Sequence, residues 1–394
     1  MMSASTAAPY RFVQELLAKA DIQLNGGRPH DIRIHRQQFF EKVLSRWSLG
    51  LGESYMDGDW DCQALDQCIT RLLSINLDDD IRGKARAKAV LMLFRAKIMN
   101  LQSRHRAFQV AERHYDLDND LFWHMLDSRM IYSCAYWERA STLEQAQIDK
   151  LDLICQKLEL QPGEHLLDIG CGWGGLAAHA AQHYGVKVTG LTVSREQKAH
   201  AMQTCAGLPI DIRLQDYRDL DQSFDKIVSV GMFEHVGERN YPTYFQAVHK
   251  ALKPEGLFLL HTIGSRITTL STDPWIDKYI FPNGKIPSAA EITQSVEPKW
   301  VIEDWQNFGR DYDRTLMAWH GNIVNALPTL SRRYDARFLR MWSYYLLSCA
   351  GYFRSQKGQL WQILLTRPER SQGYRSLRFR QVRDTPLSDI PLGA

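Results

Sequence analysis

An acid, three spaced glycines and a short apolar run stand together in His165-Leu-Leu-Asp-Ile-Gly-Cys-Gly-Trp-Gly-Gly175. Leu166, Leu167 and Ile169 read as a buried strand, glycines at 170, 172 and 175 as a tight turn, and Leu176-Ala-Ala-His-Ala-Ala-Gln-His-Tyr184 as a helix. Strand, glycine turn and helix in that order let a ligand touch bare backbone and meet the amides of a helix N-terminus. The spacing alone is G-x-G-x-x-G, which nicotinamide enzymes share. Two details point elsewhere. Asp168 lies two residues before the first glycine, where a carboxylate suits a positively charged ligand. The second predicted strand, Val186-Lys-Val-Thr-Gly-Leu-Thr192, ends without the acid that a dinucleotide ribose requires.

An acid just ahead of the glycine turn is the pattern of S-adenosylmethionine enzymes, whose ligand carries an ammonium and a sulfonium. Other polar residues fall at or just beyond predicted strand ends: Thr192, Asp216, Glu234 and His261. With Asp168 they belong on one rim of a sheet. Asp168, with Gly170, Cys171 and Gly172 of the turn, would hold the methionine part of a cofactor. Thr192 and Gln197 would stand in for the missing ribose acid, and Asp216 with Tyr217 would face the adenine. Gln197 also reads as a helix cap, because Ser194 lies three residues before it. Glu234 and His261 could bind a small ion or steer a proton; His261 reads equally as a hydrogen-bonded histidine inside a buried strand. Glu234-His235 lacks zinc-site spacing.

The elements that must position these residues alternate. Ile210-Asp-Ile-Arg-Leu214, Phe224-Asp-Lys-Ile-Val-Ser-Val230 and Leu257-Phe-Leu-Leu-His-Thr262 read as strands, and Leu360-Trp-Gln-Ile-Leu-Leu365 as a closing strand. Helices are predicted over 142–158, 194–202 and 241–252, with Thr142 and Ser194 as caps. Strand and helix in turn imply a doubly wound α/β sheet, with ligands beyond the strand C-termini. Upstream, residues 11–20 and 39–47 follow a helical period and 31–36 alternates as a short strand. Residues 49–60, dense in Gly and Asp, read as a loop. The result is a small α+β module, and the first ten residues read as disordered.

The 394 residues suffice for two domains, and 44% apolar with 11% aromatic content fits a folded protein. A formal charge of +3 gives no argument for nucleic acid. Bases instead cluster between Arg82 and Arg106 around Val90-Leu-Met-Leu-Phe94, which reads either as a surface attracted to anionic lipid or as a solvated linker helix. Seven scattered cysteines without a C-x-x-C pair argue for a reducing compartment. No apolar run reaches the roughly 20 residues that span a bilayer, and no signal sequence is recognisable, so a cytoplasmic location is expected.

Six motifs then carry a resemblance. Gly50-Leu-Gly-Glu-Ser-Tyr-Met-Asp-Gly, His114-Tyr-Asp-Leu, Tyr132-Ser-Cys-Ala-Tyr-Trp, Asp168-Ile-Gly-Cys-Gly-Trp-Gly-Gly, Ser229-Val-Gly-Met-Phe-Glu-His-Val-Gly and Lys278-Tyr-Ile-Phe-Pro-Asn-Gly resemble the cyclopropane-fatty-acyl-phospholipid synthases, in order from Tyr10 to Thr366. The resemblance implies a Rossmann-like class I methyltransferase domain over 131–372 and a smaller N-terminal α+β lipid-binding domain over 1–105. A linker over 106–130 and a basic mobile tail over 373–394 complete the expected layout. It implies transfer of a methylene from S-adenosylmethionine to a cis double bond of a phospholipid acyl chain, by a cytoplasmic homodimer at the inner face of the membrane. A bicarbonate serves as base in that family, and the positions matching its site are Cys134, Glu234, His261, Ile263 and Tyr312. Cofactor positions carry over to Tyr132, Ser133, Gly170, Gly172, Thr192, Gln197, Gln215, Asp216 and Tyr217. Tyr217 replaces a family tryptophan in the adenine region. Cys349 matches a cysteine often assigned as active, although the chemistry needs no thiol nucleophile and a small buried side chain would serve.

An alkene is a weak nucleophile, so the sulfonium methyl must be held in line with it. Methyl transfer leaves a carbocation that aromatic faces stabilise, with Tyr132, Tyr136, Trp137, Phe233 and Tyr312 as candidates. The ring closes when a proton leaves the new methyl. Rival readings are a methyltransferase acting on a soluble amine, a lipid-binding protein with a vestigial cofactor fold, and a nicotinamide oxidoreductase.

Overall fold

A computed structural model describes residues 4–75, 119–269 and 271–378. The basic segment from Arg82 to Arg106, the His114-Tyr-Asp-Leu motif, and Arg380 and Arg383 of the tail lie outside the described residues.

Seven strands form the central sheet in the order β5-β4-β3-β6-β7-β9-β8. They are β3 (His165–Ile169), β4 (Lys187–Thr192), β5 (Ile210–Leu214), β6 (Phe224–Val230), β7 (Leu252–Ser265), β8 (Val301–Asn307) and β9 (Gly358–Thr366). The first five are mutually parallel, and β9 runs antiparallel between β7 and β8. Leu166 with Leu167, Ile227 with Val228, and Leu259 with Leu260 are buried in runs rather than in alternation, as strands covered on both faces require. The predicted fifth strand is too short at both ends: β7 begins at Leu252, so Lys253-Pro-Glu-Gly256 belongs to it, and pairing with β9 carries it on to Ser265. His261 therefore lies inside a strand. It is level with the rim nonetheless, because its register partner Val230 is the last residue of β6.

Ahead of the sheet come α1 (Ala4–Lys19), β1 (Arg33–Ile34), α2 (Gln38–Met56), β2 (Trp60–Asp61) and α3 (Leu65–Ser74). Two expectations fail here. Helix α1 begins at Ala4, inside the stretch read as disordered, and α2 runs through most of the predicted loop to Met56 after a kink at Trp47. The glycines that suggested a loop serve close approach instead. A Cβ on Gly50 would lie 1.8 Å from the Lys42 carbonyl, and one on Gly52 would lie 2.4 Å from the Trp275 ring.

Two long helices near the C-terminal end, α11 (Gly309–Leu330) and α12 (Ala336–Arg354), tie this module to the sheet. Phe39, Trp60 and Cys68 share one apolar cluster with Trp319, Trp342 and Phe353. Arg340 donates to the carbonyls of Tyr55 and Trp60 and lies over the Tyr55 ring, and Arg354 bridges Asp66 and Asp313. The remaining helices are α4 (Asn119–Met125), α5 (Leu143–Lys157), α6 (Gly175–Tyr184), α7 (Arg195–Thr204), α8 (Tyr241–Ala251), α9 (Pro274–Tyr279) and α10 (Ala289–Val296). Thr142 and Ser194 cap α5 and α7 as expected. Of the tail, Ser376 is buried and Arg378 pairs with Asp304 on β8. Among the described residues no helix is long and apolar enough to cross a membrane.

Candidate active site

Of the five predicted rim residues, Asp168, Thr192 and Asp216 line one cavity, whereas Glu234 and His261 do not. Tyr132, Ser133, Asp168, Gly170, Cys171, Gly172, Thr192, Gln197, Gln215, Asp216 and Tyr217 all line it at the C-terminal ends of β3, β4 and β5. Gly170 and Gly172 have φ of 86° and 55°, as the turn requires. The third left-handed residue is Gly174 (φ 88°), not Gly175. Gly175 opens α6 and is small for a different reason: a Cβ there would meet Ile131 at 2.4 Å. A Cβ on Gly172 would meet nothing, so that backbone faces open cavity.

Asp168 is buried on β3, and burial lifts its pKa to about 7, with Lys150 pulling the other way. A cation arriving in the cavity would restore its charge. The Thr192 hydroxyl donates to Gln197 Oε1 at 2.8 Å, while the Gln197 amide donates to Ser194 Oγ. Only half of the predicted capping box forms, because the Gln197 side chain turns to Thr192. Asp216 caps a short turn through Arg218 N, which sets Tyr217 edge-on against Tyr244.

A second group gathers where β6 stops against β7. The Gly231 amide donates to the His261 carbonyl, and the next β7 amide on that edge, Ile263 N, donates to Glu234 Oε1 at 2.6 Å. Glu234 thus replaces the missing strand. Its other oxygen, Oε2, is buried without a hydrogen-bond partner among the described residues, as is His261 Nε2. Burial raises the Glu234 pKa to about 7 and holds that of His261 well below its usual value. The Gln362 amide on β9 lies 3.3 Å from His261 Nδ1 and donates to it, which leaves the ring proton on Nε2.

Tyr312 on α11 is close enough to Glu234, Cys134, Tyr132 and Cys349 for each to raise its pKa, after burial. Tyr132 and Tyr345 share a hydrogen bond of 2.8 Å between hydroxyls, and Trp319 packs against both Tyr132 and Tyr312. Of the five aromatic candidates, these contacts keep Tyr132 and Tyr312 beside the site. Phe233 stacks on Tyr241 in a separate core, Trp137 belongs to a small cluster beneath Arg314, and Tyr136 packs on Phe308. Burial drives the thiols of Cys134 and Cys171 far up and that of Cys349 to about 12, so all three are neutral near pH 7.

Sequence reasoning missed several wall residues. Lys150 looks like one solvated base on a helix, yet it is buried and lines the cavity. Pro282 and Asn283 also line it, at the end of a segment gripped by Glu53, which accepts from Lys278 and Tyr279. Helix α11 went unread although Tyr312, Leu316, Trp319 and Ile323 recur at helical spacing and are buried.

The chain is similar to proteins of known family. A family model described as mycolic acid cyclopropane synthetase matches residues 102–363. A cyclopropane-fatty-acyl-phospholipid synthase of Escherichia coli is 54% identical over 358 residues, 91% of this chain and 93% of that protein. The solved structure of a cyclopropane synthase from Mycobacterium tuberculosis superposes with a TM-score of 0.62 at 34% identity, over 66% of this chain and 97% of its own. A mycolic acid cyclopropane synthase solved with SAH and CTAB does so with a TM-score of 0.61 at 33% identity, over 66% and 97%. The fold is that of the class I methyltransferases.

Proposed function

Because the chain belongs to the mycolic acid cyclopropane synthetase family, we propose that it builds a cyclopropane ring on the cis double bond of a phospholipid acyl chain, using S-adenosylmethionine as one-carbon donor and bicarbonate as base. The donor supplies an activated methyl, and the bicarbonate supplies a proton acceptor with little tendency to trap a carbocation. The observation that carries the reading is the pair of buried atoms Glu234 Oε2 and His261 Nε2, unpartnered among the described residues, one rim position from a cavity lined by Asp168 and the glycine turn.

The residues present fit both small molecules. Asp168 meets positive charge, Gly170 and Gly172 leave room for backbone approach, and Thr192, Gln197, Gln215, Asp216 and Tyr217 offer a neutral and acidic wall for the nucleoside. Glu234 and His261, with Ile263, Tyr312 and Cys134 around them, would hold the small oxyanion. Neutral His261 donates from Nε2, and Glu234, titrating near neutrality, presents a proton or accepts one at Oε2. Tyr132 lines the cavity and packs on Trp319, which packs on Tyr312; aromatic faces of this kind would lower the energy of a nearby cation by roughly 1–2 kcal/mol each. Buried walls keep water from quenching that cation. Cys349 acts as a neutral, compact side chain near Tyr312 and Tyr345. The N-terminal module and the basic segment from Arg82 meet the lipid surface, and two copies act together as a peripheral cytoplasmic homodimer.

Purified protein, labelled donor and cis-unsaturated phospholipid vesicles test this directly. Mass spectrometry of the acyl chains should show one added methylene and loss of the double bond, and activity should vanish on carbonate depletion and return with bicarbonate. A product methylated on an amine, or indifference to carbonate, would remove the corresponding part of the proposal.

A further inference from the structure

One row of polar side chains crosses three strands and ends at His261. His261 on β7 is the register partner of Gln362 on β9, and Gln362 is that of Gln306 on β8. Directly opposed residues of antiparallel strands share a face, with their Cβ atoms about 5 Å apart. Beyond Gln306 stands Lys157, buried at the end of α5, whose ammonium donates to Gln306 Oε1 at 2.8 Å. At the other end Gln362 Nε2 meets His261 Nδ1 at 3.3 Å. Between these two bonds, Gln362 Oε1 is buried without a partner among the described residues, and Gln306 Nε2 is left to donate.

A glutamine amide can point either way, and a neutral imidazole can carry its proton on either nitrogen. Neither amide nor ring can therefore fix the direction of such a row. An ammonium can, because it only donates. It turns Gln306 Oε1 toward Lys157 and Nε2 toward Gln362, so that Gln362 shows its oxygen to Gln306 and its nitrogen to His261. His261 then accepts at Nδ1 and donates at Nε2, its buried atom without a partner among the described residues. Asp304 faces the ammonium with Oδ2 at 3.6 Å, while Arg378 occupies Oδ1. Burial pulls the Lys157 pKa down to about 8, with Asp304 opposing. The charge is felt at His261, where it lowers the ring's pKa after burial and Lys150.

We propose that Lys157 is a positioning residue for the reaction, acting through Gln306 and Gln362 as a directed hydrogen-bond relay that ends in an N–H at His261 Nε2 aimed at the oxyanion. The oxyanion at its end rests on the proposed function, whereas the direction of the relay does not. Bonds that all point one way polarise one another. A positive charge three side chains away thus strengthens the donor that an anion meets, without touching the anion.

Nuclear magnetic resonance of the full chain, with isotope-labelled nitrogens in its histidine rings, tests this; the His261 signals are identified by their loss in His261→Asn. The unmodified chain should show the form protonated at Nε2. Gln306→Glu still answers the Lys157 charge but has no hydrogen for Gln362, and Lys157→Met frees Gln306 to turn round. Both should move His261 toward the form protonated at Nδ1. In steady-state assays both should need about fivefold more bicarbonate for half-saturation, the size of one neutral hydrogen bond, with S-adenosylhomocysteine affinity unchanged. Gln306→Glu decides the matter should Lys157→Met not fold. An Nε2 proton that persists in Gln306→Glu would overturn the relay, and lower melting temperatures without a change of tautomer would mean that Lys157 and Gln306 merely brace the sheet. Turnover of the unmodified chain that ignores bicarbonate would instead bring down the anion reading, and the tautomer comparison would still decide the relay.

Discussion

Glu234 Oε1 accepts the Ile263 amide at 2.6 Å, at the level where β6 has ended and β7 continues. One oxygen of this carboxylate completes a strand ladder and the other is left for chemistry, so two substitutions separate the roles. Glu234→Gln keeps a carbonyl for the Ile263 amide and should fold normally. Glu234→Ala leaves that amide orphaned and should cost about 1–3 kcal/mol of stability. Both should lower product formation by at least a hundredfold while donor binding by calorimetry persists. Near-normal turnover by Glu234→Gln would show that the free oxygen has no part in the reaction.

The two buried acids predict how stability follows pH. Glu234 rises from 4.5 to about 7 and Asp168 from 3.8 to about 7, both through burial. Between roughly pH 4 and 7 the folded chain holds protons that the unfolded chain has released. Stability contributed by these groups is therefore greatest at the acid end of that window, falls as pH rises through it, and levels off above 7. At about 1.4 kcal/mol for each tenfold change in proton affinity, the two shifts together correspond to several kcal/mol, with about 8 kcal/mol as the upper bound. Urea unfolding from pH 4 to 8 should show this fall, reduced in Asp168→Asn. An equal slope in the variant would exclude Asp168 as its source.

Donor affinity should run the opposite way. A cationic ligand binds the ionised form of Asp168, so affinity should climb as pH rises toward 7 and flatten above it. Asp168→Asn should bind weakly and without that climb. Titrations with S-adenosylmethionine at several pH values read both, and a pH-independent affinity in the unmodified chain would contradict the pairing.

Two glycine substitutions should fail differently. Gly52→Ala forces a methyl against the Trp275 ring and should destabilise the chain by about 1–3 kcal/mol. Gly172→Ala meets open space but sits at φ 55°, so its stability cost is about 1 kcal/mol, and its main effect should be on donor binding. Thermal unfolding and titration of the pair check this. Equal effects on binding would erase the distinction between packing glycine and site glycine.

Cys349→Ala should retain activity within about fivefold, because burial holds the thiol near pKa 12 and leaves almost no thiolate to attack anything. Loss of a small, half-buried side chain costs about 1 kcal/mol. Product assays on the alanine variant decide, and a fall to background would restore the nucleophile.

The half of the site built from local signals was legible in the sequence. A carboxylate ahead of a glycine turn, and polar residues at the ends of Val/Ile-rich strands, converge because parallel strands deliver their C-termini to one side. What the chain hid is tertiary. Gly50 and Gly52 have turn composition, and only the Lys42 carbonyl and the Trp275 ring explain why a helix tolerates them. Lys150 is one base on a capped helix until the segment carrying Ser133 folds over it. Gln362 carries no chemical signature, yet it sets the proton on His261 across an antiparallel pair no local pattern announces. The resemblance named the positions around Glu234, and the reason for them, a strand that stops one carboxylate short, became visible only in three dimensions.

The antiparallel strand β9 slots between β7 and β8, both made before it. Until it arrives, β8 has no neighbour in the sheet and His261 has no Gln362 to orient it. Tyr312 and Cys349 are also late in the chain, on the helices that lead into β9. A ribosome releasing this protein thus delivers the cavity walls of β3, β4 and β5 well before Gln362 can orient His261.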